Sequence, residues 1–350
     1  MSPTDGAPQQ QKPGAADPPA FGPVQPPGPG VGLILGRFMP PHLGHQYLIE
    51  FASNYVSQLT VLIRGRDKDV IPGDQRVCWM REMFPEVSII LVHDERAPKE
   101  GEPDTTFYNR WSLKIRQQVP TGLDYLFASE KYGPRLAEIL GAKYVPVDPA
   151  RLNVPISATQ IRQDPLAHWA YLPPPVRPYY LRRVCILGPE GTGKSTLAAN
   201  LADHYATCFV RPYADVLRGL KLHLEPADVQ AIARGQLAAE LTQAGRANRV
   251  LFLDTDLTAV QWWSERQFGA CPEWVRQEAE CRRYHLYLVT DVDVPQRSND
   301  QEQRSAFVRH CLNMLDAKGS DYVRLSGTWQ QRRDKAVAAV DALLRKKGSV

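Results

Sequence analysis

Residues 183–196 read Arg-Val-Cys-Ile-Leu-Gly-Pro-Glu-Gly-Thr-Gly-Lys-Ser-Thr. The apolar residues before Gly188 predict a short buried strand, and residues 194–205 predict a helix. The loop between them has the spacing Gly188-x-x-x-x-Gly193-Lys194-Ser195, in which glycines allow backbone N–H groups to turn toward a phosphate. A strand, such a loop and a helix in this order are typical of a P-loop in a parallel α/β sheet. The stretch therefore predicts an ATP site on an α/β fold.

Most residues of this loop have an expected role in holding ATP. The backbone amides of residues 191–194 are expected to surround the β-phosphate, Lys194 to reach the β- and γ-oxygens, and Ser195 to ligate Mg²⁺. A later apolar strand ends in Asp254-Thr-Asp256, which is typical of a carboxylate presented to Mg²⁺ or its water, and the sequence leaves open which aspartate does so. The predicted ATP-binding set is Gly188, Gly191, Thr192, Gly193, Lys194, Ser195 and Thr196.

A second nucleotide motif lies far upstream, where residues 36–45 read Gly-Arg-Phe-Met-Pro-Pro-His-Leu-Gly-His. It follows a predicted strand over 31–35 and opens a predicted helix over 42–56. In a parallel sheet, ligands bind at the carboxyl ends of the strands. His42 and His45 are expected to point the same way, and Gly44 leaves the backbone open to a phosphate at the helix N-terminus. The apolar face of this helix is expected to contain Tyr47, Leu48, Phe51, Ala52 and Tyr55.

Residues 156–162, Ile-Ser-Ala-Thr-Gln-Ile-Arg, supply a second element for the same site. Ser157 is suited to cap a helix, Thr159 and the first helical amides to bind phosphate oxygens, and Arg162 to bind β- and γ-phosphates with both guanidinium nitrogens. The two elements lie about one α/β domain apart in the sequence, as expected for a single site built at one edge of a sheet. The predicted ATP-binding set here is Gly36, Arg37, Phe38, Gly44, Ser157 and Thr159.

The rest of the chain alternates predicted strands and helices. This alternation predicts an α/β protein with two doubly wound parallel sheets. A proline cluster over 172–178 interrupts the pattern, so we expect a tail at 1–30, one domain at 31–171 and a second at 179–350. The further strands are predicted at 60–63, 87–92, 124–128, 143–147, 250–253, 285–289 and 322–325, and the further helices at 75–83, at 134–140 and from Trp329 onward.

Composition narrows the class of protein. A chain of 350 residues with 43% hydrophobic residues is large enough for two cores. A net charge of only +4, with no dense run of Lys or Arg, argues against nucleic acid as a partner, and no apolar run is long enough to span a membrane. The six cysteines contain no Cys-x-x-Cys pair, so reduced thiols in a cytoplasmic protein are expected. Nine of the 30 prolines fall within residues 1–30, which predicts disorder there.

The two motifs, in this order, resemble the NadR family, in which a Rossmann-like nucleotidyltransferase is followed by a P-loop kinase. The stretch from Asp164 to Pro178, running into Cys185-Ile-Leu-Gly188, is similar to the family's interdomain junction. The resemblance implies nicotinamide mononucleotide (NMN) adenylyltransferase and ribosylnicotinamide kinase activities, with ATP, NMN, nicotinamide riboside and NAD as ligands and Mg²⁺ as cofactor. It also implies a homo-oligomer, with a tetramer as one form.

For the first domain, the resemblance implies that His42 and His45 steady the α-phosphate of ATP while the 5′-phosphate of NMN attacks it. Arg162 and Thr159 would hold the departing pyrophosphate with Mg²⁺. Trp111 would form a stacking platform for the nicotinamide ring, with Asn109 beside it, although the residues alone allow a tryptophan packed in the core equally well.

For the second domain, the resemblance implies phosphorylation of nicotinamide riboside, with Lys194 and Asp254 or Asp256 as catalytic residues. The substrate would contact Tyr213 and Asp215, and Arg304 or Arg297 would act as the lid arginine. Two departures favour an alternative, in which this domain is a nucleotide sensor or a weak kinase. Pro212 and Asp215 stand where the family has Glu and Arg, and the stretch 295–304 lacks the family's lid Trp and Gly. A DNA-binding regulator is disfavoured, because the tail has no amphipathic pattern for a helix-turn-helix.

Overall fold

The computed structural model describes residues 28–94, 104–119, 122–220, 223–293 and 301–346. The expected tail, up to residue 27, and the altered segment 295–300 with Arg297 lie outside these ranges. Within the described residues, no helix combines the length and apolar composition needed to cross a membrane.

The first sheet is parallel and five-stranded, with the order β3-β2-β1-β4-β5. Its order reverses between β1 and β4, which places a crevice at the carboxyl end of β1. The strands are β1 (Val31–Gly36), β2 (Gln58–Gly65), β3 (Ser88–His93), β4 (Tyr125–Ala128) and β5 (Lys143–Pro146). The helices are α1 (Leu43–Tyr55), α2 (Gly73–Met83), α3 (Asp104–Gln118), α4 (Gly133–Leu140) and α5 (Ala158–Gln163).

The second sheet is also parallel and five-stranded, with the order β10-β9-β6-β8-β7. The strands are β6 (Arg182–Leu187), β7 (Phe209–Val210), β8 (Val250–Asp254), β9 (Leu286–Thr290) and β10 (Tyr322–Leu325). The helices are α6 (Arg177–Tyr180), α7 (Lys194–His204), α8 (Tyr213–Leu220), α9 (Asp228–Ala244), α10 (Leu257–Phe268), α11 (Glu273–Cys281), α12 (Gln301–Lys318) and α13 (Trp329–Arg345). The predicted doubly wound α/β class is therefore confirmed for both halves.

Alternate residues of each central strand pack on opposite faces of the sheet. In β1, Ile34 belongs to a cluster with α1, whereas Leu33 and Leu35 belong to a cluster with Trp111 of α3. Side chains of neighbouring strand residues point to opposite faces, so helices cover both faces of this sheet. The predicted strands agree with the structure to within about two residues.

The predicted apolar face of α1 is partly wrong. Leu48 and Ala52 are buried as expected, but Ile49 is fully buried beside them, and Phe51 and Tyr55 are exposed to 37% and 42%. Phe51 and Tyr55 make edge contacts with the ring of Phe127 instead, where aromatic packing at the sheet margin does not require full burial.

A hydrophobic cluster joins the two halves of the chain, and we name it the junction cluster. The proline segment does not end all helical structure, because Pro178 occupies the first turn of α6, where a proline needs no N–H. Trp79 of α2 packs edge-on against Tyr179 of α6, with ring centroids 5.2 Å apart. The buried members include Met39, Ile71, Trp79, Ile156, Ile161, Leu166 and Trp169 from the first half, Leu172 and Val176 from the proline segment, and Tyr180, Leu181, Cys185, Leu187, Leu251, Leu253, Val289 and Phe307 from the second half. The division at 172–178 stays a prediction about folding units.

Candidate active sites

The first candidate site is a cleft of about 410 Å³ at the carboxyl end of the first sheet. Loops that follow β1, β4 and β5 form most of its wall, as expected for a ligand site at the switch point of a parallel sheet. Its lining residues include Gly36, Arg37, Phe38, His42, Gly44, His45, Arg64, Tyr132, Asp148, Arg151, Ser157, Thr159 and Arg162. The cleft thus brings together both upstream motifs.

His42 and His45 form a stacked pair at the start of α1. The two ring centroids are 3.7 Å apart, and His42 caps the helix by accepting a hydrogen bond at Nδ1 from the Gly44 N–H, at 3.1 Å. A side chain at Gly44 would place a Cβ 3.0 Å from the His42 ring, so glycine permits the cap. Since Nδ1 of His42 accepts, its remaining proton is carried by Nε2.

Both imidazoles are uncharged near neutral pH. Burial lowers the pKa of His42 to about 3, and the charge of Arg151 adds to this effect. Burial also holds the pKa of His45 well below its usual range, with smaller effects from His42 and Arg151. The pair can therefore give N–H hydrogen bonds to a phosphate, while the positive charge in the cleft comes from arginines.

We expect both rings to stay neutral from about pH 5 to 8. An unfolded histidine titrates near pH 6.5, so below that pH the unfolded state binds protons that the folded state refuses. The free energy of unfolding should fall with decreasing pH, by up to about 1.4 kcal/mol per pH unit for each histidine. Imidazole ¹⁵N NMR, assigned with His42→Gln and His45→Gln variants, checks this. A titration midpoint between about pH 6 and 7 for either ring would contradict it.

The second upstream element is held against the first. Ser157 caps α5 as predicted, in a reciprocal capping box with Gln160. The guanidinium of Arg162 donates from Nη1 to the carbonyl of Met39 and from Nη2 to Thr159 Oγ1, the latter at 3.1 Å. Arg162 therefore fixes the end of α5 to the loop that follows β1, at the mouth of the same cleft.

Two further arginines, Arg64 and Arg151, line this cleft and were not predicted from the sequence. Arg151 lies in a loop where Asp148 and Arg151 both adopt left-handed backbone conformations, with φ of 44° and 53°. The Asp148 carboxylate holds this loop by accepting from the N–H groups of Leu152 and Asn153, at 2.8 and 3.1 Å. Arg64, at the end of β2, is the other. From the sequence, an arginine inside an apolar strand is most simply interpreted as solvent-exposed. Only the sheet order shows that the end of β2 lies beside β1 and the cleft.

Arg37 lines the cleft and is also part of a charged scaffold, and its contact with ATP stays a prediction. Its guanidinium lies 2.6 Å from Asp69, which also pairs with the fully buried Arg76 at 2.7 Å. Arg76 donates in turn to the carbonyl oxygens of Arg37 and Arg64, at 2.5 and 2.9 Å. Arg76 thereby fixes the backbone at Arg37 and Arg64, two arginines that line the cleft.

Of the two interpretations that the sequence leaves open for Trp111, the structure favours the core tryptophan. Trp111 is 0% exposed and packs among Leu33, Leu35 and other core residues, so no ligand can stack on it as it stands. The guanidinium of Arg64 covers its ring. Asn109 is exposed on α3 and does not line the cleft. Trp111 lies on the face of α3 that packs against Leu33 and Leu35 of β1, and this packing brings its ring into the core.

The second candidate site surrounds the P-loop. Gly188 adopts φ of 150°, and a side chain there would clash with Thr290 at the end of β9. Thr192 Oγ1 lies 2.7 Å from Thr290 Oγ1 and donates to the carbonyl of Pro189 at 2.8 Å. Lys194 Nζ donates to the same carbonyl at 3.0 Å. Hydrogen bonds from Thr192 and Lys194 to the Pro189 carbonyl thus hold the P-loop together, and Thr192 also links it to the end of β9.

The structure distinguishes the two aspartates after β8. Asp254 is 0% exposed, and neither carboxylate oxygen has a hydrogen-bond partner among the described residues. Burial raises the pKa of Asp254, although nearby Ser195 and Lys194 favour its charged form. Asp256 instead caps α10, accepting from the Thr258 N–H at 2.9 Å and the Ala259 N–H at 3.4 Å. Because the cap uses the oxygens of Asp256, the structure favours Asp254 as the carboxylate that faces the P-loop, and the catalytic role of either aspartate stays a prediction.

The predicted riboside-binding residues lie at the start of α8, which an ion pair of Arg218 with Glu190, at 3.5 Å, links to the P-loop. The Tyr213 N–H donates to Gln236 Oε1 at 2.8 Å, and Asp215 pairs with Arg218 at 3.2 Å. Thr196 is exposed on the first turn of α7.

Arg304, the predicted lid arginine, lies on the first turn of α12 and is buried. Its Nη1 donates to Gln301 Oε1 at 3.5 Å, but its Nε and Nη2 have no hydrogen-bond partner among the described residues. A buried guanidinium with free donors is suited to bind an anion that the protein itself does not provide.

A second cleft, of about 570 Å³, opens beside the P-loop and was not predicted. Trp329 forms one wall, is 40% exposed and has its ring edge against Gly193. Arg332 is buried beneath it and donates to the Thr192 carbonyl at 3.3 Å and to the Gly327 carbonyl at 3.0 Å. An exposed indole next to a phosphate loop is suited to stack on a nucleotide base.

Comparison with known proteins agrees with this arrangement. A family model described as an AAA domain matches residues 183–332. The "Trifunctional NAD biosynthesis/regulator protein NadR" of Escherichia coli K12 is 29% identical over 323 residues, covering 84% of this chain and 78% of the relative. NadR of Salmonella typhimurium LT2 matches with the same identity and coverage.

Two crystal structures share the fold over 91% of this chain and 97% of their own. One is NadR in complex with NR, with a TM-score of 0.74 and 21% identity. The other is NadR in complex with NAD and AMP-PNP, with a TM-score of 0.71 and 20% identity. The sequence similarity along most of the chain and the shared two-sheet fold identify this chain as a homologue of the NadR proteins.

Proposed function

We propose that this chain is a bifunctional enzyme of NAD salvage. Its first site transfers the adenylyl group of ATP to NMN, giving NAD and pyrophosphate, and its second site phosphorylates nicotinamide riboside to NMN. The observation that carries the proposal is the pair of clefts, each at the carboxyl end of its own parallel sheet and each lined by a nucleotide motif. NadR similarity over 84% of the chain supports it.

In the transferase, the 5′-phosphate of NMN attacks the α-phosphorus of ATP and the bond to pyrophosphate breaks. The neutral rings of His42 and His45 donate N–H groups to the α-phosphate oxygens, where negative charge increases in the transition state. Arg162, already oriented by Met39 and Thr159, holds the departing pyrophosphate. A phosphate monoester is largely anionic near neutral pH, so the reaction needs no general base and catalysis rests on positioning and charge.

In the kinase, the riboside hydroxyl attacks the γ-phosphorus of ATP, the bond between that phosphorus and ADP breaks, and the hydroxyl proton is released to solvent. The P-loop amides and Lys194 hold the β- and γ-phosphates, and Trp329 stacks on the base. We expect Asp215 to hold the riboside, and its negative charge acts on both Lys194 and Asp254. Arg304 offers its free donors to the transferring group.

The residues after β8 and in the P-loop fit a magnesium ion. Asp254 presents two buried oxygens without hydrogen-bond partners among the described residues, and the Ser195 side chain lies near it. Mg²⁺ commonly takes one or two protein oxygens and completes its shell with phosphates and waters. When held by Asp254 and Ser195, it would supply positive charge that offsets the charge of the ATP phosphates.

The matched pair Asp254→Asn and Asp256→Asn tests this assignment. Asp254→Asn should lower the rate of riboside phosphorylation by about 100- to 1000-fold, since an amide is a poor ligand for Mg²⁺. It should not lower the melting temperature, because it removes a buried charge. Asp256→Asn should keep the rate within about threefold, because asparagine caps a helix about as well as aspartate. Equal losses in both variants would contradict the assignment.

A second candidate function is a nucleotide sensor or weak kinase at the P-loop, beside an active transferase. Pro212 and Asp215 occupy positions where the resembled family has Glu and Arg. Asp215 is also partly engaged by Arg218. Under this candidate, ATP binds beside Trp329 but the riboside is phosphorylated slowly.

Product analysis of the full chain with Mg-ATP and nicotinamide riboside, sampled over time, separates the two candidates. The bifunctional proposal expects NMN first and NAD after it. Rapid NAD from added NMN, with no reaction of the riboside, would favour the sensor. Failure of both reactions with a folded protein would overturn the proposal.

We also propose that the chain acts in the cytoplasm as a homo-oligomer. The six cysteines are free thiols, which suits a reducing compartment that also supplies ATP. Association of subunits rests on the family resemblance alone.

A further inference from the structure

A tight loop after β5 holds Arg151 near the stacked histidine pair of the transferase cleft. The Asp148 carboxylate accepts hydrogen bonds from three successive backbone N–H groups, of which the last is the Val154 N–H at 3.3 Å. The Arg151 N–H donates to the Asp148 carbonyl at 2.9 Å, and both residues adopt left-handed backbone conformations. Val154 packs beside the start of α1, where its Cγ1 lies 3.8 Å from the position of a Cβ at Gly44. The loop is therefore fixed next to the histidines, and Arg151 lines the cleft from it.

Arg151 differs from the other cleft arginines in having a partner that a phosphate can displace. Within the described residues, four arginines line the cleft. Arg37 is bound by a buried carboxylate at 2.6 Å, the guanidinium of Arg64 lies over an indole ring in the core, and Arg162 donates to a backbone carbonyl and a threonine hydroxyl. Arg151 instead pairs with Glu130 at 3.4 Å, and the two side chains are 45% and 60% exposed. An ion pair this exposed is weak, so its guanidinium is available to an anion in the cleft.

The histidine pair needs a cation beside it to act on a phosphate. Both rings are neutral near pH 7, so they offer N–H groups but no positive charge. Arg151 is close enough for its charge to act on both rings, although burial is the larger cause of their low pKa values. In the proposed transfer, the α-phosphate gains negative charge while the anionic 5′-phosphate of NMN approaches it. A guanidinium beside the histidines offsets both charges.

We propose that Arg151 is a catalytic residue of the transferase that binds the α-phosphate of ATP beside the histidine pair. This inference rests on the proposed adenylyltransferase function. A bond forms between an oxygen of the NMN 5′-phosphate and the α-phosphorus, and the bond to pyrophosphate breaks. Arg151 stays protonated throughout and donates hydrogen bonds. Arg162 holds the departing pyrophosphate, so each arginine meets the charge on a different part of ATP. Glu130 keeps the guanidinium of Arg151 at the cleft until ATP replaces it.

The test measures NAD synthesis from NMN and Mg-ATP in the wild type, Arg151→Met and Arg151→Lys. Arg151→Met should lower kcat/KM for Mg-ATP by about 100-fold, with the larger part in kcat, since the charge that it removes acts most strongly in the transition state. Arg151→Lys should recover about tenfold of this loss, because it restores the positive charge without the paired guanidinium donors. Riboside phosphorylation should equal that of the wild type in both variants.

Two further variants separate this role from the ion pair with Glu130. Glu130→Gln breaks the same ion pair but leaves Arg151 in place, so the KM for Mg-ATP should fall by up to about fivefold. Arg135→Met is the matched control, since it removes an exposed arginine of α4 that pairs with Glu138 at 2.6 Å and does not line the cleft. Its rate of NAD synthesis should equal that of the wild type.

Four results would decide against the inference. These are wild-type rates of NAD synthesis in Arg151→Met, an equal loss in Arg135→Met, a rise in the KM for Mg-ATP in Glu130→Gln, and a lowered melting temperature in Arg151→Met without recovery of activity in Arg151→Lys. The last result would show that Arg151 acts by holding the loop and not by binding a phosphate.

If the wild type makes no NAD from NMN, the proposed function fails, and calorimetric titration with Mg-ATP then tests the phosphate contact separately. The titration uses a Lys194→Ala background, which weakens the second ATP site. In this background, Arg151→Met should weaken binding of Mg-ATP by about fivefold or more. Equal affinities with and without Arg151 would overturn the inference.

Discussion

Replacing His45 with alanine is expected to lower dinucleotide synthesis by about 100- to 1000-fold while leaving riboside phosphorylation unchanged. The ring of His45 stacks on His42 and lies 4.8 Å from Phe38, between centroids, in the wall of the transferase cleft. Because the ring is neutral, its loss removes a hydrogen-bond donor to the α-phosphate and no net charge. The effect should therefore appear mainly in kcat and persist at high NMN concentration.

Chromatographic measurement of NAD from NMN and Mg-ATP, alongside riboside phosphorylation, checks this result. His204→Ala is the matched control, because His204 is exposed on α7 and lines neither cleft. Its two activities should equal those of the wild type. A His45→Ala protein that keeps its melting temperature but loses both activities would contradict two separate sites.

Lys194→Ala should have the opposite effect, with riboside phosphorylation reduced by about 100- to 1000-fold and dinucleotide synthesis retained. Burial lowers the pKa of Lys194, and Asp254 opposes this by favouring the charged lysine. In the variant, Asp254 loses that cation and the phosphates lose their charge partner. Lys194→Met keeps the apolar volume of the side chain and serves as a second variant if alanine destabilises the loop.

Lys335→Ala, an exposed change on α13, is the matched control for the kinase. Its rates with both substrates should not change. Wild-type phosphorylation by Lys194→Ala would show that the transfer takes place elsewhere than at this loop. Comparable loss of NAD synthesis would show that the two sites depend on each other.

The fold could be predicted from the sequence because the patterns that indicate its strands and helices are local. A buried parallel strand is a short apolar run, and β1, β6 and β8 each end at a motif that must follow a strand. The capping box of α5 and the start of α13 at Trp329 were also readable, since a cap depends on residues three positions apart. The two-residue strand β7 is too short to show such a signal.

Only part of each candidate site could be predicted from the sequence, because the rest depends on contacts between residues that are far apart in the chain. Arg64 enters the cleft only because β2 pairs with β1, and Arg332 reaches the P-loop from the last helix. The sequence alone does not distinguish Asp254 from Asp256, because only the structure shows that Asp256 caps α10. The position of Trp111 could not be decided from the sequence, because the periodicity of a helix does not tell which of its faces meets the sheet.

The junction cluster has a consequence for how the two activities are maintained in a cell. Met39, in the loop that leads to His42, is buried in the same apolar cluster as Leu187, the last strand residue before the P-loop. A chain cut at the prolines would expose that apolar surface on both pieces, which favours aggregation and proteolysis. The transferase and kinase sites are therefore synthesised and degraded together at a fixed one-to-one ratio. Gene expression cannot change the amount of one site without changing the amount of the other.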